Sequence, residues 1–150
     1  MKNVLKTVLL IVITSVAATA QSIDYNTKKG SVAEGYDVVA YFDNEAIKGK
    51  KDYRTTYDGV DFLFSSEEHL NQFKTDPEKY IPQYGGYCAY AVAVKSKKVK
   101  IDPETFEIRD GKLYLFYNSW GNNTLETWLE KDVKGLQQKA DKNWEAIKIE

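Results

Sequence analysis

Two side chains in this sequence have a chemistry that no other residue shares, the thiol of Cys88 and the imidazole of His69. A thiolate and an imidazole together suit a soft transition metal such as copper(I). A closed zinc site needs four nitrogen or sulfur ligands, and a catalytic zinc site needs three protein ligands, so the pair alone does not make a zinc site. The residue types therefore predict Cys88 and His69 as candidate ligands of a soft metal ion.

Cys88 allows two other interpretations. If it opens a helix after Gly85 and Gly86, the helix N-terminus activates the thiol, and a thiol-dependent enzyme or redox protein becomes the alternative function. Such a mechanism needs a base, for which His69 is the one imidazole available. Free cysteines are also often buried and inert, and a lone histidine is often a surface residue. The sequence leaves these interpretations open.

Tyrosines surround the same segment. Tyr84, Tyr87 and Tyr90 flank the Gly85-Gly86 pair, where the absence of side chains lets the backbone bend and lets a neighbouring segment approach closely. Rings gathered at such a bend either pack into the core or line an aromatic cleft. These three tyrosines are therefore the candidate contacts for a small ligand or cofactor of unknown identity.

The first twenty residues differ from the rest of the chain. Lys2 and Lys6 precede an apolar run over residues 8–18, and Ala18-Thr19-Ala20 has the small side chains of a cleavage site. This pattern predicts a secretory signal peptide over residues 1–20, and the apolar run is too short for a convincing membrane span. We expect an exported protein, periplasmic or extracellular, with no membrane span in the mature chain.

Composition limits the remaining possibilities. The 150 residues are 43% hydrophobic and 29% charged, which is typical of a globular protein. Without Lys2 and Lys6 the chain has 19 basic and 22 acidic side chains. A net negative charge disfavours nucleic acid as a partner. We expect a flexible lead-in over residues 21–30 and one domain over residues 31–150.

The pattern predicts an α+β domain with two β-hairpins, short helices and a C-terminal amphipathic helical segment. Asp58-Gly59 and Asp110-Gly111 suit the tips of the hairpins. Residues 31–42 suggest a turn and then an apolar strand, residues 99–101 a strand, and residues 102–104 a turn. Ser65 and Glu68 have the spacing of a capping box before a helix at 66–74. Further helices are expected at 77–80 and over 125–147, with a break at Gly135 and Asp132. Residues 87–94 fit either a helix or a strand, and the alanines at 89, 91 and 93 favour a short helix.

Several short motifs occur together: Gly35-Tyr36-Asp37-Val38-Val39-Ala40-Tyr41-Phe42, Tyr57-Asp58-Gly59, Phe62-Leu63-Phe64-Ser65-Ser66, Asp76-Pro77-Glu78-Lys79-Tyr80 and Tyr84-Gly85-Gly86-Tyr87-Cys88-Ala89. Over residues 31–144, the sequence resembles exported proteins of the YHS-domain family. The resemblance implies a non-enzymatic binding module for a metal or a small ligand. It also implies three cysteine positions, which fall here on Ala40, Ser65 and His69. Two thiols are thus missing, and the third is exchanged for an imidazole.

Overall fold

Two β-hairpins form the framework of the structure, a computed structural model that describes residues 22–149. The predicted signal peptide lies outside these residues. The strands are β1 (Thr27–Lys28), β2 (Ser31–Val32), β3 (Lys50–Tyr57), β4 (Val60–Phe64), β5 (Asp102–Arg109), β6 (Lys112–Phe116), β7 (Asn118–Ser119) and β8 (Asn122–Asn123). One sheet has the order β1-β2-β4-β3, with β2 parallel to β4. Strands β5 and β6 form a second, antiparallel sheet, and β7 pairs with β8.

Helices connect and cover the hairpins. They are α1 (Glu67–Thr75), α2 (Pro77–Tyr80), α3 (Ala89–Lys95), α4 (Thr124–Leu129) and α5 (Val133–Ile147), with short 3-10 helices at Ala33–Gly35, Ala40–Asp43 and Gln83–Gly86. The predicted α+β class with two hairpins and a C-terminal helical segment is confirmed. Among residues 22–149, no helix has both the length and the apolar character needed to cross a bilayer.

Both predicted hairpin tips are confirmed. Asp58 and Gly59 have φ values of 49° and 81°, and Asp110 and Gly111 have φ values of 52° and 71°. Two consecutive residues with positive φ are the signature of the type I′ turn, whose twist matches that of the flanking strands. The Asp-Gly pair supplies this backbone because glycine has no Cβ and aspartate tolerates the left-handed region.

The apolar strand predicted to follow a turn within residues 31–42 is wrong, and β2 lies at the start of this range. Two 3-10 helices take its place, Ala33–Gly35 and Ala40–Asp43, and before the second of them the Oδ1 atom of Asp37 accepts hydrogen bonds from the backbone N–H groups of Val39 at 2.9 Å and Ala40 at 3.3 Å. A short carboxylate side chain that bonds to backbone groups two and three residues ahead favours a turn over an extended strand. The apolar residues of this segment still enter the core, as turns rather than as a strand.

The predicted N-cap of α1 is wrong by one residue. Ser66 caps the helix, and its Oγ accepts from the backbone N–H of His69 at 3.2 Å. The Ser65 side chain instead turns to Asp37, to which its hydroxyl donates at 2.6 Å. The strand predicted at 99–101 is also absent, and residues 102–104 belong to β5 instead of a turn.

The C-terminal helical segment breaks at Asp132 as predicted, whereas Gly135, the other predicted break, lies inside α5. Asp132 precedes α5 and accepts from the backbone N–H of Gly135 at 3.1 Å, which starts a new helix after α4. The buried face of α5 packs on α3, and the Asn143 side chain donates to the backbone carbonyls of Val92 and Ala93. The last turn of α3 therefore gains the hydrogen-bond donors that a helix C-terminus lacks.

Two groups of buried side chains form the core. Phe62, Phe64 and Phe73 pack together between β4 and α1, with ring centroids 4.7 and 5.1 Å apart for the two pairs that include Phe73. Trp128 is fully buried between α4 and β6, where its ring meets Phe116 at 5.4 Å. Aromatic rings bury much area each, so they supply most of the core of this small domain.

The lead-in before residue 31, predicted as flexible, packs along the domain. The Asp24 N–H donates to the carbonyl of Lys148 at 2.8 Å, and the Asn26 N–H donates to the carbonyl of Gly85 at 2.9 Å. Between them Tyr25 is only 6% exposed. The segment thus joins the Gly85 turn to the end of α5.

Candidate functional site

A buried carboxylate lies at the centre of the residues that resemble the YHS family. Asp37 has no exposed surface. In addition to the two N–H groups bound by Oδ1, its Oδ2 atom accepts from the backbone N–H of Ser65 at 2.8 Å and from the Ser65 hydroxyl at 2.6 Å. The Nδ1 atom of His69 lies 2.7 Å from the same oxygen. Both oxygens of the buried carboxylate are therefore hydrogen-bonded.

The local sequence explains how these groups meet. Strand β4 ends at Phe64, so Ser65 follows at the edge of the sheet, and the Ser66 cap places His69 in the first turn of α1. The Asp37 N–H donates to the carbonyl of Ile47 at 2.8 Å, which fixes the carboxylate from its own backbone. Three separate segments of the chain therefore converge on one side chain.

The imidazole of His69 has two carboxylates on opposite edges. Nδ1 faces Asp37, and Nε2 lies 3.8 Å from the carboxylate of Asp43, whose side chain is 67% exposed. Because the Asp37 oxygen accepts its hydrogen bonds, the proton of a neutral ring belongs on Nδ1, and Nε2 keeps its lone pair. A carboxylate that orients a histidine in this way is the usual outer partner of a metal-binding imidazole.

The residues at this place do not fit the metal that the resemblance implies. Ala40, Ser65 and His69, the three positions to which it assigns cysteines, all contact Asp37, but only His69 offers a metal donor. Asp37 and Asp43 cannot join His69 around one ion, because they face opposite nitrogens of the ring. Within residues 22–149, no group of three or more His, Cys, Asp or Glu side chains is arranged to hold a metal ion.

Cys88 lies in a different environment. Its thiol is fully buried, with Sγ 3.3 Å from the hydroxyl oxygen of Thr124, and that hydroxyl donates to the carbonyl of Tyr117 at 2.8 Å. The thiol therefore donates to Thr124, since the hydroxyl proton is already used. Cys88 and His69 have no hydrogen bond to each other and no common partner in the described part of the chain.

The three candidate tyrosines also separate. Tyr90 and Cys88 line one side of a small cavity of about 300 Å³. Tyr87 donates to Asp24 at 3.1 Å, and burial together with this carboxylate raises the pKa of Tyr87 to about 12. Tyr84 alone of the three lines the cleft described next.

This cleft has a volume of about 410 Å³ and lies between the lead-in, the β3–β4 turn, α2 and α5. Its lining consists of aromatic, aliphatic and acidic residues with one amide and one glycine: Ile23, Tyr25, Tyr57, Asp58, Glu78, Ile81, Pro82, Gln83, Tyr84, Gly85, Asp141, Trp144 and Glu145. Gly85 is required at its base. It has φ +60°, and a Cβ there would lie 2.8 Å from the carbonyl oxygen of Asp24 and 3.1 Å from the Trp144 ring.

Tyrosine hydroxyls and carboxylates are paired along the cleft. Tyr84 donates to Asp141 at 2.9 Å, and Tyr57 donates to Glu78 at 3.2 Å. Burial raises the pKa of Tyr84, and its hydrogen bond to Asp141 raises the pKa further. Burial likewise raises the pKa of Tyr25, with the neighbouring carboxylate of Asp58 as a second cause. These hydroxyls therefore keep their protons at neutral pH and remain donors.

Comparison with known families supports the resemblance. The family model described as the YHS domain matches residues 38–84. This chain therefore contains a YHS domain, which covers 47 of its 150 residues. The matched range includes Ala40, Ser65 and His69 and ends before Cys88. No curated protein and no solved structure gave a significant match to the chain.

Sequence reasoning missed the residues that matter most to both sites. The sequence does contain a signal for Asp37, because a charged residue beside the apolar pair Val38-Val39 needs hydrogen-bond partners when that pair is buried. The sequence has no such signal for the cleft residues Tyr25, Asp141 and Trp144, because each lies more than fifty residues from Tyr84 in the chain. Their meeting depends on the tertiary fold.

We predict that Asp37→Asn lowers the free energy of unfolding by about 2–3 kcal/mol, because an amide nitrogen replaces an acceptor oxygen and leaves buried donors without a partner. Urea denaturation measures this loss. Asp43→Asn is the matched control, since that side chain is 67% exposed, and it should change stability by less than about 0.5 kcal/mol. Equal effects of the two substitutions would contradict the central role of Asp37.

The predicted metal pair can be tested directly. Because Cys88 and His69 have separate partners, we expect Cys88→Ser and His69→Ala not to remove one common copper(I) site. Anaerobic copper(I) titration of the wild type and both variants, with circular dichroism to check folding, measures this. Loss of the same single site in both folded variants would reinstate the pair as joint ligands.

Proposed function

We propose that the protein is an exported, non-enzymatic binding module of the YHS type that holds a small organic ligand in the cleft around Tyr84. The observation that carries the proposal is the cleft itself. A concave site of about 410 Å³, lined by aromatic rings and several polar side chains, has the dimensions and lining typical of small-ligand sites.

Other features favour this ligand over a metal. A soft ion needs several thiolate or imidazole donors at one place, and the YHS positions of this chain offer a methyl group, a hydroxyl and one imidazole. Asp37 already binds the hydroxyl and one edge of the imidazole. The YHS positions of this chain therefore lack the donor set that a soft metal ion needs.

The non-enzymatic character rests on the positions of the nucleophile and the base. A thiol mechanism requires the base within hydrogen-bonding reach of the sulfur. The Cys88 thiol bonds to Thr124 and the His69 ring to Asp37, so neither is available to the other. In the cleft, Tyr57 pairs with Glu78 and Tyr84 with Asp141.

Export is the second part of the proposal and is supported by Lys2, Lys6, the apolar run over 8–18 and Ala18-Thr19-Ala20. We expect the protein recovered outside the cytoplasm to begin at Gln21. Intact mass spectrometry of the exported protein measures this. A protein that retains Met1 to Ala20, or that stays in the cytoplasm, would contradict it.

Ligand binding in the cleft is tested by NMR on the ¹⁵N-labelled domain with a library of small aromatic and polar fragments. We expect hits to shift the amide signals of Gly85 and Tyr84 and the indole N–H of Trp144. The indole of Trp120 is an internal control, because this side chain is 98% exposed and lies outside the cleft. Shifts centred on Cys88 and Tyr90 would move the site to the other cavity.

A further inference from the structure

The cleft around Tyr84 has a strongly one-sided charge. Its lining includes four carboxylates, from Asp58, Glu78, Asp141 and Glu145, and none of the described lining residues is Lys or Arg. Glu145 pairs with Lys148 at the rim. The other three form no ion pair within the part of the chain that the structure describes, although Glu78 and Asp141 accept from tyrosine hydroxyls. A ligand therefore meets a negative potential with little compensation.

Aromatic rings form the other component of the cleft. Tyr25, Tyr57, Tyr84 and Trp144 contribute to its wall, and the rings of Tyr84 and Trp144 are 6.3 Å apart at an angle of 68°. The faces of Trp and Tyr rings attract cations, most of all when the cation is partly removed from water. Rings and carboxylates together favour a ligand that combines an apolar body with a positive charge.

We infer that the ligand of this cleft is an organic ammonium ion, an inference that rests on the proposed small-ligand function. An organic anion would be repelled by the carboxylates at this lining. A bare metal ion uses neither the aromatic wall nor a volume of about 410 Å³, and it would need oxygen ligands at short range around one point. The charge and the shape of the cleft therefore favour an organic cation over an organic anion and over a bare metal ion.

Three probes that share one phenyl body but differ in charge test the inference. They are phenethylammonium, 2-phenylethanol and 3-phenylpropanoate, and binding of each is measured by NMR titration at low ionic strength. We expect the cation to bind at least about tenfold more tightly than the alcohol, and the carboxylate to bind most weakly. Added salt should reduce the advantage of the cation, because exposed carboxylates are screened.

Variants that neutralise single carboxylates of the cleft show where the charge acts. Glu78→Gln and Asp141→Asn should each weaken binding of phenethylammonium by about three- to tenfold, and binding of 2-phenylethanol by clearly less. Glu130→Gln is the matched control, because it removes one exposed negative charge outside the cleft lining and should affect neither probe.

The outcomes separate the two proposals. If 2-phenylethanol or 3-phenylpropanoate binds in the cleft as tightly as the cation, the ammonium inference is wrong and the small-ligand function stands. If none of the three probes shifts the Tyr84, Gly85 or Trp144 signals, both proposals are overturned. Equal weakening by Glu130→Gln and Asp141→Asn would also overturn the inference, since it would indicate a response to net charge alone.

Discussion

The hydrogen bonds to the Asp37 carboxylate are the constraint on which the YHS part of the structure depends. A carboxylate with no exposed surface loses all its contacts with water, and this cost is offset only when the protein replaces them. Here the replacement comes from Val39 and Ala40, from Ser65 at the end of β4 and from His69 in α1. One side chain thus fixes a turn, a strand end and a helix start. Loss of any of these donors leaves the carboxylate underpaired in the interior.

The same geometry explains how a YHS domain can exist without its thiols. The positions to which the resemblance assigns cysteines, Ala40, Ser65 and His69, lie on three segments that a shared ion would join. In this chain the carboxylate of Asp37 joins those segments with hydrogen bonds, and a bound ion is not needed for that connection. A buried hydrogen-bond network that is fully satisfied specifies one arrangement of the core. We conclude that the hydrogen bonds to Asp37 suffice to connect these three segments.

Much of the fold was predictable from local signals. Asp58-Gly59 and Asp110-Gly111 determine their turns through backbone conformation, and the Asp132 cap determines a helix start, so neighbouring residues suffice. Two of the errors involve one side chain, the carboxylate of Asp37. Ser65 has the spacing of a cap but bonds to Asp37, and residues 31–42 have the composition of a strand but are turned by the same carboxylate. The cleft was predictable only at Tyr84, since its other walls come from the lead-in, the β3–β4 turn, α2 and α5.

The cleft keeps its negative charge because Glu78 and Asp141 pair with tyrosine hydroxyls and not with basic side chains. A tyrosine hydroxyl that donates to a carboxylate satisfies one acceptor site but contributes no positive charge, unlike a lysine or arginine in the same place. Burial and the neighbouring carboxylates raise the pKa of Tyr25 and Tyr84, so these rings stay neutral and keep donating at neutral pH. The hydroxyls therefore fix the direction of the carboxylates without cancelling their charge. A ligand that enters finds the negative groups already oriented, and preorganised groups of this kind cost little further ordering on binding.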